Sequence, residues 1–251
     1  MPARADTPAS TAAEGIRLAG VSVRLAGRLV LDRLSLHLTE ARIGILGRNG
    51  SGKTTLLRLI AGLIPASEGT VSVDGADPFK DRKSALRTLG ILFQNPDHQI
   101  LFPTVEEELA FGLVQQGMTR PTALAEVHAA LADEGLSHWA KTAVSTLSQG
   151  QRQLLCLMSI LLMAPRTILL DEPYSGLDLP TQARLTRRLA GLPQRLVTIT
   201  HDPSALADAD RVIWIEAGRI AADGRPDKII PAFTAEMHRI GTEDADRTPG
   251  H

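Results

Sequence analysis

Cysteine occurs once in the 251 residues, at Cys156, so no disulfide can close within the chain, and the sequence suits a reducing cytoplasm. Aromatic residues make up 3% of the chain against a hydrophobic fraction of 43%, so the core must be built from aliphatic side chains. Net charge is −1 and no extended run of Lys or Arg stands out. A dedicated nucleic-acid protein carries a basic footprint, so a nucleic-acid partner is not expected. The longest apolar run, 154–164, is interrupted by Ser159 and stopped by Pro165. It falls short of the roughly 20 residues a bilayer-spanning helix needs. Residues 1–14 are polar and rich in Ala, Thr and Pro, without the apolar segment of a signal peptide. There is no internal repeat and no heptad run.

What remains is an alternation of short apolar runs and helical patterns, which argues for an α/β fold. The runs 16–25 and 29–38 read as paired strands of an antiparallel β layer. Further strands are expected at 42–46, 70–73, 90–94, 167–171 and 195–200, with a late hairpin at 211–215 and 219–222 around Ala217-Gly218. Between about 95 and 164 the apolar spacing turns helical. The expected organisation is a flexible leader at 1–14 and one domain at 15–239. Its α/β core covers about 15–94 and 165–232 around a helical subdomain at about 95–164, and a flexible polar tail follows at 240–251.

Two motifs carry chemistry. Gly47-Arg48-Asn49-Gly50-Ser51-Gly52-Lys53-Thr54 matches the phosphate-loop pattern G-x-x-x-x-G-K-[ST] and lies between an expected strand and an expected helix from about Gly52 to Leu63. Its glycines let successive backbone N–H groups wrap an anion at a positive helix end. Lys53 supplies a full charge to β/γ-phosphates, and the Thr54 hydroxyl is a magnesium ligand. Gly47, Asn49, Gly50, Ser51, Gly52, Lys53, Thr54 and Thr55 form the expected nucleotide-binding set. The second motif, Ile168-Leu169-Leu170-Asp171-Glu172-Pro173, is a buried strand ending in two carboxylates. Asp171 is suited to hold Mg²⁺ and Glu172 to polarise the attacking water as general base.

Leu147-Ser148-Gln149-Gly150-Gln151, followed by a long apolar helix, resembles the LSGGQ signature of ABC ATPases. Ser148 is placed to cap that helix. The resemblance covers roughly residues 15–232 and implies a phosphate-loop NTPase fold with cofactors ATP and Mg²⁺. It further implies that Ser148, Gly150 and Gln151 meet the γ-phosphate held by the other protomer of a dimer. Gln149 stands where the family carries Gly. Gln94 matches the Q-loop glutamine, touching the metal and the water, and Asp178, in Ser175-Gly176-Leu177-Asp178, falls in the D-loop. His201 stands at the switch-histidine position. Thr54, Gln94 and Asp171 are the implied metal ligands, and Glu172, His201 and Gln94 the implied catalytic residues. The family's aromatic base platform is absent from Val21-Ser22-Val23-Arg24-Leu25, which leaves Arg24 or Leu25 to cover the base.

The stretch from Gln94 to Gly112, with Gln94-Asn95-Pro96-Asp97-His98-Gln99 and Thr104-Val105, resembles energy-coupling-factor ATPases, which power uptake of vitamins or of cobalt and nickel ions. The Leu-Ser-Gln-Gly-Gln signature and the residues after it are most similar to the ATPases of biotin uptake modules, with cobalt/nickel ATPases next. This implies an integral-membrane scaffold and a substrate-binding subunit as partners. The chain would be peripheral on the cytoplasmic face of the inner membrane, in a homodimer or heterodimer of ATPase subunits. Thr104 and Glu107 are expected to form a capping box. Glu106, Glu107 and Glu108 read equally as a solvated first turn or as an acidic lure for a partner's arginine. No fused membrane domain and no added regulatory domain is evident, as in lone cassettes of importers. A soluble ABC ATPase that remodels a non-membrane assembly is the rival reading.

Overall fold

The computed structural model describes residues 15–247; the leader expected at 1–14 lies outside them. Strands β1 (Ile16–Leu25), β2 (Arg28–Leu38) and β4 (Glu68–Val73) form an antiparallel layer in the order β2-β1-β4. A second sheet runs β5-β6-β7-β3-β8-β9. Its strands are β3 (Arg42–Leu46), β5 (Leu89–Leu92), β6 (Thr167–Asp171), β7 (Arg195–Thr200), β8 (Arg211–Glu216) and β9 (Arg219–Gly224). All neighbours pair parallel except β8 and β9, which form the expected hairpin.

Burial explains the two sheet types. All five residues of β6 are buried, as a central parallel strand covered on both faces requires. β2 alternates buried and exposed over Leu34–Leu38, as a strand with one solvated face does. Helix α1 (Lys53–Ile60) lies between the layers, with Leu56, Leu57, Leu59 and Ile60 at 0–1% exposure in one aliphatic core with Ile16, Leu38, Ile45 and Ile213.

Helices α3 (Val105–Gln115), α4 (Arg120–Asp133) and α5 (Gln149–Leu162) form the helical region, around Leu109, Val127, Leu131, Trp139 and Leu155. The helix α2 (Arg82–Thr88) precedes β5, and α6 (Leu179–Ala190) joins β6 to β7.

The structure departs from expectation at the C-terminus. Helix α7 (Pro226–Arg247) runs through most of the segment expected as a flexible tail. Ile229 and Phe233, one turn apart, bury against β8, and the Phe233 ring meets Trp214 edge-on at 5.4 Å. Residues 248–251 lie outside the described part.

The acidic turn at 106–108 is not the freely solvated one of the first reading, because each glutamate is engaged within the chain. Glu106 Oε2 lies 2.8 Å from His128 Nε2, and Glu107 pairs with Arg120 at 3.6 Å. Glu108 is buried, and its Oε2 accepts the N–H groups of Leu101 and Phe102 at 2.8 and 2.9 Å. The capping box expected at Thr104 is not formed. The Thr104 hydroxyl donates to Glu107 Oε2, and the first helical N–H groups, of Val105 and Glu106, donate to Thr142 O and Ala140 O. Tertiary carbonyls have taken the place of the cap.

Candidate nucleotide-binding and hydrolysis site

The phosphate loop leaves β3 at Leu46 and enters α1 at Lys53, as its spacing requires. Two glycines are sterically forced. A Cβ on Gly47 would stand 2.3 Å from Ile215 O, and Gly52 holds φ +107° with Leu31 Cδ2 in the Cβ position's way at 2.8 Å. The late hairpin braces the loop from behind: Gly218 N–H donates to Ser51 O, and Asp32 N–H donates to Gly218 O, both at 2.9 Å.

Lys53 is 6% exposed, and its Nζ donates to Gly47 O at 2.6 Å and Arg48 O at 2.9 Å. Burial pushes its ammonium below the ordinary lysine range, opposed by Glu172, Asp171 and Glu216. Asp171 ends β6 with Glu172 just past it, and Glu216 ends β8. Burial also holds the Asp171 carboxyl above the ordinary range, reinforced by the negative Glu172 beside it and opposed by Arg58, Lys53 and a hydrogen bond from Thr54. Asp171 Oδ1 is buried and has no hydrogen-bond partner. An open carboxylate oxygen beside a threonine hydroxyl and under the phosphate loop fits a divalent cation that takes the rest of its shell from phosphates and water. Among the described residues no group of three His, Cys, Asp or Glu could hold a metal by itself.

Glu172 stands one residue past β6 with φ +47°, a left-handed conformation that costs a non-glycine residue about 1–3 kcal/mol. Its N–H donates to Ile199 O at 2.8 Å. One carboxylate oxygen, Oε1, lies 2.8 Å from His201 Nδ1, and the other accepts the Thr200 hydroxyl at 2.9 Å. The Gln94 amide, two residues past β5, donates to Ser175 Oγ at 3.4 Å.

One cleft of about 580 Å³ collects Asn49, Gly50, Gly52, Lys53, Thr54, Thr55, Gln94, Glu172 and His201. The walls also include Arg28, Leu29, Val30, Ala217 and Gly218, which the sequence reading missed. Arg24 and Leu25 are not among them. The pairing Arg24↔Leu29, around a two-residue turn at Ala26-Gly27, puts the start of β2 at the cleft instead. The turn residues were the available signal.

Ser148, Gly150 and Gln151 do not line this cleft. They open on another, of about 600 Å³, between α5 and α6, with Leu154, Thr181 and Arg184. Ser148 N–H donates to Gln151 Oε1 at 2.7 Å and Ser148 Oγ accepts Gln151 N–H at 3.3 Å, a complete capping box. Asp178 caps α6, accepting Thr181 N–H at 2.8 Å. Gln149 lies against Gly176, where an added Cβ would stand 2.7 Å from its Nε2. In the segment after Gln94, Asp97 pairs with Arg152 at 2.9 Å, and Gln99 Oε1 accepts Phe93 N–H at 3.2 Å.

The family model described as ABC transporter matches residues 31–175. The biotin transport ATP-binding protein of Rhodobacter capsulatus is 51% identical over 92% of this chain and 99% of its own length. The cobalt import ATP-binding protein of Syntrophus aciditrophicus is 37% identical over 85% of this chain and 83% of its own. Among solved structures, cbiO1 of Clostridium perfringens, described as part of the ABC transporter complex cbiONQ, superposes with a TM-score of 0.74 at 24% identity. That match covers 92% of this chain and 99% of the other. A dimeric ATP-binding cassette, MJ0796, in a post-hydrolysis state bound to ADP and Pi gives a TM-score of 0.72 at 24% identity, over 84% and 98%. The chain belongs to the ABC transporter family and is an ATPase coupled to transport.

Proposed function

We propose that this chain powers an importer of the energy-coupling-factor type, with biotin as cargo, by binding and hydrolysing MgATP between two ATPase subunits. The observation that carries the dimer is the separation of the two clefts. The phosphate loop, Glu172 and His201 share one, while Ser148 and Gly150 face another, so a signature on one chain is free to close a phosphate loop on a second. A solved relative of the same fold is described as dimeric and bound to ADP and Pi.

The backbone of Gly47 to Gly52, Lys53 and the α1 N-terminus would receive the triphosphate, with Thr55 behind Thr54 in the cleft. Thr54, Asp171 and Gln94 would hold Mg²⁺, which when bound neutralises charge on the β- and γ-oxygens. Lys53 would leave the carbonyls of Gly47 and Arg48 for phosphate oxygens, exchanging two neutral acceptors for charged ones. Glu172 would take the proton of the attacking water. In the chain by itself each Glu172 oxygen has one partner, and His201 turning off Oε1 would leave that oxygen to the attacking water. The γ-phosphate gives His201 its alternative partner. Ser148, Gly150, Gln151 and Asp178 act from the opposing subunit, whether or not that subunit is a second copy of this chain.

Biotin is favoured over cobalt or nickel by the 51% identity to a biotin transport ATP-binding protein, against 37% for the cobalt relative. Among the described residues no helix is long and apolar enough to cross a membrane. Like the transport ATPases it resembles, the chain would work from the cytoplasmic face, docked on an integral-membrane scaffold. Tagged Glu172→Gln protein, expressed in its native host and trapped with MgATP, tests this by what co-purifies from gently solubilised membranes. A polytopic scaffold with a small membrane-embedded binding protein is expected. Recovery of soluble partners alone would leave a dimerising ATPase whose work is elsewhere.

A further inference from the structure

The carboxylate read above as the general base is held at both oxygens, and one of its two holders has no role assigned. Register sets the geometry. Asp171 on β6 pairs with Ile199 on β7, so Glu172 falls beside Thr200, the last residue of β7. Thr200 is 3% exposed although it carries a hydroxyl. Its Oγ1 accepts the N–H of Asp202 at 3.0 Å, so its own proton is left to donate to Glu172 Oε2 at 2.9 Å. The hydroxyl thus ties the residue after β6 to the loop that carries His201. It also makes the two carboxylate oxygens unequal. Oε2 is bound to a buried group on a rigid strand end, while Oε1 is bound to His201, whose side chain is 56% exposed. When His201 moves, Oε1 loses its partner while Oε2 keeps its own.

We propose that Thr200 is a positioning residue for hydrolysis: its hydroxyl tethers Glu172 Oε2 and so orients Oε1 toward the attacking water. This rests on the reading of Glu172 as the base. The Glu172 backbone is already in a left-handed conformation, and without the second tether its side chain would be free to rotate, with either oxygen or neither facing the γ-phosphate. A displacement of this order costs catalysis while leaving substrate binding alone.

The test uses the full chain with MgATP and the variants Thr200→Val, Thr200→Ser and Glu172→Gln. Thr200→Val keeps the branched shape and loses the proton; it should lower kcat by about tenfold with KM for ATP changed less than about twofold. Like Glu172→Gln, it should accumulate an ATP-bound dimer on gel filtration, which a folding defect would not produce. Thr200→Ser restores the donor and should stay within about threefold of the parent. Parental kcat in Thr200→Val overturns the proposal, as does a Thr200→Ser variant as slow as Thr200→Val, or a loss of ATP binding in step with kcat. Glu172→Gln separates the two failures. If it hydrolyses at the parental rate, the reading of Glu172 is wrong; if it stalls while Thr200→Val does not, only the assignment of Thr200 is.

Discussion

Glu108 offers the sharpest test of how the helical region is held together. It is a buried carboxylate whose single oxygen Oε2 closes the turn leading into α3 by accepting the N–H groups of Leu101 and Phe102. Hydrogen bonds to a charged group contribute about 1.5–3 kcal/mol each, and neutral ones about 0.5–1.5. Glu108→Ala strands both donors, but the Leu101 side of the turn is well exposed, so water recovers part of the loss. The expected cost is about 2–4 kcal/mol. Glu108→Gln keeps a neutral acceptor oxygen in place and should cost about 1–2 kcal/mol. At a urea m-value of about 2–3 kcal/mol/M, the alanine variant should shift the midpoint by about 1 M. Amide exchange at Leu101 and Phe102 should speed up in step. An alanine variant within about 0.5 kcal/mol of the parent, or a glutamine variant equally destabilised, would refute this account of the turn.

Three further outcomes follow from the geometry. Lys53→Ala removes the buried ammonium of the phosphate loop and should abolish tight MgATP binding in calorimetry; a variant that still binds MgATP tightly would contradict the reading of the loop. Arg188 grips Glu134, the C-cap of α4, through two contacts of 2.5 and 2.7 Å, and that hydrogen bonding holds the Glu134 carboxyl below its ordinary 4.5. A depressed folded value means the pair's contribution is complete above about pH 4.5 and lost as pH falls through the lower folded value. The urea midpoints of parent and Glu134→Gln should therefore differ at neutral pH and converge in acid. Cys156 is fully buried, and burial pushes its thiol up to about 12. Alkylation by iodoacetamide at pH 8 should be negligible in the native chain and rapid in urea, where the thiol returns to about 8.5.

Much of the fold was legible because it is written in local pattern. Each strand of the parallel sheet is a short apolar run, and the phosphate loop is a glycine spacing with its own structural frame. What escaped was structure that depends on distant partners. Helix α2 has no buried residue and rests on its Asp81 cap, whose carboxylate accepts Ser84 N–H at 3.0 Å, so no periodic face announces it. The end of α7 is polar, and only the burial of Ile229 and Phe233 upstream shows where that helix is anchored. The glutamates at 106–108 look alike in sequence, yet Glu108 is buried in a turn while Glu106 and Glu107 find His128 and Arg120 on α4. At the site, Lys53, Thr54, Gln94, Glu172 and His201 fell together in one cleft. Thr200 was hidden at the end of an apolar strand, and Arg28 and Leu29 were hidden by a hairpin register that motif spacing does not encode.

The central claim is that hydrolysis in this cleft drives uptake of biotin. Its most direct test is accumulation of radiolabelled biotin at nanomolar external concentration in native-host cells carrying either the parent chain or Glu172→Gln. The expected result is uptake with the parent and its loss with the variant, with cobalt and nickel uptake unaffected in both. Biotin uptake that persists in the variant, at a level of expression equal to the parent, would contradict the account; loss of metal-ion uptake instead would move the same ATPase to a different cargo.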